Sequence, residues 1–476
     1  MKHRPNILFL FTDDQRHDTI RYLGNGLIHT PNLDRLVKGG SAFTRAYIPG
    51  GSCPAVCMPS RAMLHTGRSL FHLEGSGETI PRAHALLGET LRQADYHCYG
   101  IGKWHNGTKS YARSFDDGAE IFFGGMDDHW NVPACRFDPT GAYRQRHPIV
   151  RQPFQSNKVE QRICDHIVAG KHSSELFSDA AVDFLRSYRR EQPFFLYLSY
   201  MAPHDPRTMP ERFLRMYDPT AIPLPENFLS EHPFDFGRMG VRDELLAAFP
   251  RNPDEIRRHI AEYYAMITHL DFEIGRVLDE LERTDRIEDT IIILSGDNGL
   301  ALGQHGLMGK QNCYEHSVHV PLVLSGPGIP EGQRHDDFVY LMDIFPTLCE
   351  LSGTSIPDSV EGVNLCEILR GGQGGSSRKG DSGHSSLRRS LFFAYEQFQR
   401  SIRDERFKLI EYAVQGKRTT QLFDLDNDPR EKENLAGQSA AANTIERLRD
   451  ELLGWKDAWD DEASPWGREF WRSCRW

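Results

Sequence analysis

The sequence predicts an α/β fold: a large, mainly parallel sheet sandwiched by helices, followed by a smaller C-terminal α+β domain. Three observations carry this. Short apolar runs rich in β-branched and aromatic residues recur at 6–12, 96–102, 193–200, 290–297 and 320–326, each of strand length. Amphipathic patterns of helical period lie between them, and strands alternating with helices require a sheet covered on both faces. Beyond residue 386 the order changes to consecutive strand-like runs and a closing helix.

The first strand, "NILFLFT" (6–12), is apolar throughout, as a strand buried on both faces must be. In "TPNLDRLVKGG" Thr30 stands as N-cap and Pro31 as the first helical residue, where proline has no N–H to lose. "LLGETLRQAD" (86–95) reads as a helix, "YHCYGIG" and "PFFLYLSY" as strands, and 254–284 as a long helix. The strands "TIIILSGD" and "VPLVLSG" complete the sheet. Glycine and serine dominate 370–386, which predicts a flexible connection between a large unit over 1–380 and a small domain over 387–476. There "LFFAYEQF", "SIRDERFKLIEYA" and "RTTQLFDLD" read as antiparallel strands, with a helix over about 440–459. The tail "SPWGREFWRSCRW" carries three tryptophans and is expected to pack on its own chain, ahead of docking on a neighbouring subunit. Homo-oligomerisation is left open.

Acidic residues (67) outnumber basic ones (56), leaving −11 with no basic block, so electrostatic capture of nucleic acid is not expected. No apolar run approaches bilayer length, and no membrane role is expected. Nine cysteines, odd in number and scattered, predict mostly reduced thiols rather than a disulfide framework. The start "MKHRPNILFLFTDDQ" is basic and then apolar, but too short for a signal core and without a small-residue cleavage site. The expected location is cytoplasmic, or periplasmic or secreted if a signal peptide has been removed.

Polar residues recur where strands end: Asp13 and Asp14 after the first, Lys103 and His105 after "YHCYGIG", His204 after "PFFLYLSY", Asp297 and Asn298 after "TIIILSG". Each alone is an ordinary turn or surface residue. The carboxyl ends of parallel strands, however, line one crevice, so the segments can converge. Asp13, Asp14, Asp297 and Asn298 offer only hard oxygen donors, a set for Ca²⁺ or Mg²⁺ rather than Zn²⁺. Arg61, Lys103, His105, His204 and Lys310 would surround the ion with cations and imidazoles, which suits a small tetrahedral anion whose ester bond breaks.

The stretch Cys57-Met58-Pro59-Ser60-Arg61-Ala62-Met63-Leu64-His65-Thr66-Gly67-Arg68 fits C-x-P-S-R-A-x-L-x-T-G-R at every fixed position. It resembles the signature of formylglycine-dependent type I sulfatases of the alkaline phosphatase superfamily. Cys53, followed by Pro-Ala-Val, does not fit and reads as a small buried neighbour. "PNILFLFTDDQ", "GIGKWH", "YMAPHDPR", the long run from Ser295 to Gly328 and "LFDLDNDPREKENLA" extend the resemblance over nearly the whole chain.

That resemblance implies that Cys57 is oxidised after translation to formylglycine (3-oxoalanine) by a formylglycine-generating enzyme, and that it also faces the divalent metal, Ca²⁺ with Mg²⁺ as the alternative. It implies that Asp297 and the metal activate a hydroxyl of the hydrated aldehyde. Lys103 and Lys310 would hold sulfate oxygens, Arg61 orient the formylglycine, His204, alone or helped by Lys310, protonate the leaving alcohol and His105 deprotonate the second hydroxyl. A geminal diol suits the task because its second hydroxyl lets the aldehyde re-form and sulfate leave by C–O cleavage, an exit that serine or a thiol lacks. Pro59 and Ser60 fit a loop turning into a helix, whose N-terminus adds positive potential beside the nucleophile.

The expected substrate is a sulfate monoester on a sugar or other small molecule. In the loop 122–143, Asp127, Asp128, His129 and Trp130 are candidates to hydrogen-bond or stack on it, and His305 is a further candidate. The rival readings are a formylglycine-dependent phosphonate monoester or phosphodiester hydrolase of the same superfamily, and a catalytically silent glycan-binding relative. A two-zinc phosphatase is disfavoured, because the histidines are not spaced with the carboxylates as such a cage requires.

Overall fold

A computed structural model describes residues 4–150, 156–371 and 387–474. Its main sheet comprises β1 (Asn6–Thr12), β2 (Gly40–Phe43), β3 (His97–Trp104), β4 (Asp117–Phe123), β5 (Phe194–Ser199), β6 (Thr290–Gly296), β7 (Leu322–Ser325) and β8 (Gln333–His335). Their spatial order is β8-β2-β7-β6-β1-β5-β3-β4. All pairings are parallel except those of β7, which runs against both β6 and β2. The expected strand at 320–326 therefore forms, but reversed. The chain between β6 and β7 (297–321) holds a four-residue helix, Glu315–Val318, and a two-residue strand, His319–Val320, but no long helix of the kind that usually carries a parallel crossover.

Helices α1 (Pro31–Lys38), α2 (Cys57–Thr66), α3 (Leu87–Gln93), α4 (Ser173–Ser187) and α5 (Pro253–Arg283) cover the sheet. The alternation along central β1 shows how: Ile7, Phe9 and Phe11 enter one apolar core with residues of α2 and α3, and Leu8 and Leu10 enter a second with residues of α1, α4 and α5. In α5 the buried Ile256, Ile260, Tyr263, Ile267, Leu270, Ile274, Val277 and Leu281 recur at spacings of three and four. Asn252 caps this helix by accepting from the N–H groups of Asp254 (2.8 Å) and Glu255 (3.2 Å).

Thr30 departs from expectation. It flanks α1, and Pro31 opens the helix, but the Thr30 hydroxyl bonds Asp34 and the N–H of Arg21 instead of capping. The helix N–H groups of Asn32 (3.1 Å) and Leu33 (2.8 Å) donate to Asp271 of α5, so the cap is supplied from a neighbouring element.

The second sheet runs β12-β11-β10-β9 through β9 (Leu391–Tyr395), β10 (Gln399–Arg403), β11 (Phe407–Val414) and β12 (Lys417–Asp424), all antiparallel. The run "SIRDERFKLIEYA" is two strands rather than one. Asp404 breaks it, its carboxylate accepting from the N–H of Arg406 (2.9 Å) and Phe407 (2.6 Å) in a tight turn. Gly50–Gly51, just ahead of α2, adds to this sheet beside β9, so the second sheet incorporates a piece of the first half of the chain. The expected connection at 370–386 lies almost wholly outside the described residues.

Helix α6 (Ala442–Ala458) and α7 (Pro465–Ser473) close the chain. Trp466 lies 5.6 Å from the Phe71 ring and Trp471 Nε1 donates to Asp461 (2.7 Å), so the tail packs on its own chain. All nine cysteines are free. Cys53 is half-buried rather than buried, because it sits in the loop ahead of α2. Among the described residues no helix is long and apolar enough to cross a membrane.

Candidate active site

Four adjacent strands, in the order β6-β1-β5-β3, deliver polar residues from their carboxyl ends to one place. Asp13 and Asp14 follow β1, Lys103 ends β3 with His105 next, His204 follows β5, and Asp297 and Asn298 follow β6. Helix α2 brings Cys57 as its first residue and Arg61 one turn later.

Local backbone geometry aims these groups. Asp14 has φ of 63°, a left-handed conformation that is costly for a residue with a Cβ and is held from both sides. Its N–H donates to Asp297 Oδ1 (3.0 Å) and its carbonyl accepts from the Tyr263 hydroxyl (2.6 Å). In β3 the register against β4 slips between Ile101 and Gly102, a bulge that re-aims the following Lys103. Gly102 has φ of +86°, and a Cβ there would stand 2.0 Å from the Ser199 carbonyl, so no other residue fits.

Arg61 is the hub. Its Nη2 lies 2.8 Å from Asp13 Oδ2, its Nε 2.8 Å from Asp297 Oδ2, and its Nη1 donates to Ser199 Oγ (2.7 Å). Ser60 Oγ donates to the Asp297 carbonyl (2.5 Å). Lys103 pairs with Asp13 and also donates to the Gly125 carbonyl. Lys310 Nζ pairs with Asp14 Oδ1 (2.6 Å), which also accepts from Asn298 Nδ2 (2.6 Å). His204 Nε2 stands 3.6 Å from Asp14 Oδ2. Cys57 Sγ lies 3.4 Å from His105 Nδ1 and 3.7 Å from Lys103 Nζ. All ten predicted catalytic and metal residues thus form one cluster, buried except for half-buried His105.

Burial alone would raise every carboxyl here, and the partners decide the outcome. Asp13 is pushed up by burial, but Lys103 and Arg61 outweigh this and hold it below the ordinary carboxylate range. Asp297 is pushed up, by burial and then by the neighbouring Asp13 charge, against the pull of Arg61. Burial lifts the Cys57 thiol to about 12 despite Lys103 and Lys310, so an unmodified cysteine here stays protonated and is a weak nucleophile. His105 is held well below its usual range, first by burial and then by Lys103 and Arg61, and is therefore neutral and able to accept a proton.

The residues fit a divalent ion. Asp13 Oδ1 and Asn298 Oδ1 are buried acceptors with no hydrogen-bond partner, an arrangement that costs stability unless a cation takes them up. Asp13, Cys57 and Asp297 bring ligand atoms within 4.8 Å of one another, and so do Asp13, Asp14 and His204. Oxygen predominates in this set, as a hard ion requires.

Of the five candidate substrate contacts, Asp127 accepts from the N–H of Asp128 (2.9 Å) within its own loop, and the other four are likewise placed away from the cluster. Asp128 is exposed and capped into its own turn, accepting from the N–H of Trp130 (2.9 Å) and from Asn131 Nδ2 (2.6 Å). Trp130 packs edge-on against His172 (5.1 Å). His129 is fully buried between Ser173 Oγ (2.7 Å) and the His204 carbonyl (3.0 Å), where it braces the His204 loop from behind. His305 stacks on Tyr314 (3.9 Å) and bonds Asn227 (3.1 Å). None of the four side chains makes a direct contact with the catalytic side chains, because each is already engaged by its own neighbours.

Supporting residues went unpredicted. Asp205 stands 3.4 Å from His204 Nδ1 and pairs with Arg242, and Glu244 holds the backbone of Met308 and Gly309 just before Lys310. Asp205 was legible by adjacency to His204. Arg242 and Glu244 lie in a short 3₁₀ segment, Arg242–Leu246, that carries no motif.

The family model described as Sulfatase matches residues 5–354. The chain belongs to the sulfatase family. It is accordingly a sulfuric ester hydrolase of the alkaline phosphatase superfamily, and a second family model, N-sulphoglucosamine sulphohydrolase, C-terminal, matches 303–458. The chain is 28% identical to a sulfatase of Formosa agariphila, over 97% of this chain and 89% of that one. To an N-acetylglucosamine-6-O-sulfatase of Bacteroides thetaiotaomicron it is 24% identical, over 94% and 85%. Among solved structures, a protein in complex with its substrate D-glucosamine-2-N,6-O-disulfate superimposes with a TM-score of 0.74 at 22% identity, covering 96% of this chain and 98% of that one, which establishes the shared fold.

Proposed function

We propose that this sulfatase hydrolyses a sulfate monoester of a sugar, with formylglycine made from Cys57 and with Ca²⁺ held by Asp13, Asp14, Asp297 and Asn298. The carrying observation is the placement of Cys57 Sγ at the N-terminus of α2, within 3.4 Å of His105 and 3.7 Å of Lys103. The sulfur marks where the oxygens of the converted residue would stand.

The charges support a sulfate ester. Asp13, Asp14 and Asp297 are matched by Arg61, Lys103 and Lys310, three against three. A divalent cation adds two positive charges, and a sulfate monoester together with one ionised hydroxyl at position 57 returns the site to neutrality. The ion would supply Lewis-acid stabilisation of developing oxygen charge. A hydrated aldehyde at residue 57 would supply one hydroxyl to attack sulfur and a second whose deprotonation releases sulfate.

The chain's own groups do the rest. Lys103 and Lys310 hold sulfate oxygens from two sides, and Arg61 fixes Asp13 and Asp297 relative to α2. His105, kept neutral, takes the proton at the Cys57 position. His204, oriented by the Asp205 carbonyl (2.8 Å to Nδ1), gives a proton to the leaving alcohol. In this reading exposed Arg242 and half-buried Asp243, whose charges act with those of Asp205 and Lys310, would meet the sugar.

A sugar is favoured by the N-acetylglucosamine-6-O-sulfatase relative. The test is a panel of sulfated monosaccharides against aryl sulfate, aryl phosphate and phosphonate monoesters, under identical conditions. Highest kcat/KM on a sugar sulfate supports the reading. Preference for a phosphonate or phosphodiester assigns the related hydrolase instead, and binding without turnover by fully converted protein assigns a silent glycan binder.

A further inference from the structure

A second cleft, of about 870 Å³, opens between the core and the segment 425–431, behind the turn that carries Asp13 and Asp14. The reaction uses none of its walls. One wall is a continuous stack in which the His17 and His319 rings lie 3.6 Å apart, His319 and Tyr47 4.5 Å apart, and the Arg403 guanidinium 5.1 Å over Tyr47.

The cleft is also lined by residues with buried polar atoms that have no hydrogen-bond partner among the described residues. Arg16, 5% exposed, engages Asp18 through Nε (2.8 Å) and Nη2 (3.1 Å), which leaves Nη1 without a partner. His316, 6% exposed, has no partner on either ring nitrogen. Arg403 pairs with Glu315 through Nη1 (2.9 Å), and its Nε has none. Arg45 and Arg334 line the same cleft, with no carboxylate partner among the described residues. Unmet polar groups gathered in one cavity, guanidinium N–H groups foremost, are costly unless a ligand satisfies them.

Their signs select the ligand. Guanidiniums only donate, a neutral imidazole offers one N–H beside one acceptor nitrogen, and the carboxylates of Asp18, Glu315 and Glu431 are already paired with Arg16, Arg403 and Lys408. Burial and then the like charge of Arg45 lower Arg403 to about 9, a burden that an anion would relieve. A metal is not indicated, since no three His, Cys, Asp or Glu ligand atoms gather here among the described residues.

We propose that this cleft is an accessory oxyanion site, taking a sulfate, phosphate or carboxylate group between Arg16, Arg45, Arg403 and His316, separate from the catalytic cluster. Sulfate, the product of the family's reaction, is the natural first probe.

Calorimetric titration of inorganic sulfate into wild-type, Arg45→Ala and Lys310→Ala protein tests it. Arg45 is half-buried and, among the described residues, its side chain has a ring contact with Phe338 and no hydrogen bond, so its loss should spare the fold and leave kcat/KM on an aryl sulfate unchanged. Arg45→Ala is expected to lose one sulfate per chain, or to weaken it about tenfold or more, whereas Lys310→Ala keeps it. Arg403→Lys, which retains the charge but not Nε, should weaken the same sulfate. Phosphate and acetate as competitors tell a tetrahedral from a planar ligand. Equal sulfate stoichiometry and affinity in wild type and Arg45→Ala would overturn the proposal, and this result is independent of whether the catalytic cluster itself binds sulfate.

Discussion

Arg251 and Glu244 form an ion pair of 2.5 Å with no solvent exposure, and the same Glu244 carboxylate accepts from the backbone N–H of Met308 and Gly309 (both 2.9 Å). The pair therefore fixes the loop that presents Lys310, without approaching the reacting atoms. Glu244→Ala leaves a buried guanidinium uncompensated, a loss of roughly 3–5 kcal/mol in such cases. Glu244→Gln keeps the shape and is the cleaner variant. It is expected to stay folded by circular dichroism while kcat falls about tenfold or more, as it would if Lys310 were misplaced. Unchanged kcat in folded Glu244→Gln would mean that the loop holds Lys310 without it.

His204 as general acid makes a prediction about leaving groups. An aryl oxygen leaves readily as an anion, whereas a sugar oxygen needs a proton. His204→Ala should therefore cost about 10²–10⁴-fold in kcat on a sugar sulfate and far less on a nitrophenyl sulfate. Equal losses on both substrates would assign His204 to binding instead. Asp205→Asn, which keeps the backbone carbonyl but removes the carboxylate charge 3.4 Å from His204 Nδ1, should reproduce the same pattern in weaker form.

The orphaned Asp13 Oδ1 and Asn298 Oδ1 predict dependence on a divalent ion. Exhaustive chelation should abolish turnover and lower the melting temperature, and Ca²⁺ should restore both, because an ion that binds only the folded state stabilises it by mass action. Asn298→Ala should raise the Ca²⁺ concentration needed for half-activity. An enzyme indifferent to chelation contradicts the oxygen cage.

Asp271 gives a pH prediction away from the site. Burial raises its carboxyl from an ordinary 3.8 to about 7, ahead of the Leu33 and Asn32 donors that lower it. Between these values the folded chain keeps a proton that the unfolded chain releases. The folded state is accordingly favoured on the acid side, and the advantage is lost as pH rises through the folded value. Melting temperatures of wild type relative to Asp271→Asn should therefore fall between about pH 4 and about pH 7. A difference independent of pH would contradict this.

Much of the site was legible because its parts sit at strand ends. Once β1, β3, β5 and β6 are recognised as parallel strands, Asp13, Lys103, His204 and Asp297 must share an edge whatever the connections do. The motif then named Cys57 over Cys53. Three features were not legible. Reversal of β7 depends on what a connection lacks. The cap on α1 comes from Asp271, far away in sequence, and overrides the local promise of Thr30. His129 and His305 have the right chemistry for ligand contacts, but tertiary packing engages both, and nothing in a linear pattern reports what stands behind an imidazole.

The central claim is that turnover belongs to chains converted at residue 57. The most direct measurement is the fraction of formylglycine in the peptide containing Cys57, read by mass spectrometry across preparations expressed with and without the converting enzyme, set against sulfate release per chain. Activity should rise in proportion to that fraction and vanish in Cys57→Ala. Undiminished turnover by protein that is entirely cysteine at 57, or by Cys57→Ala, would contradict the account.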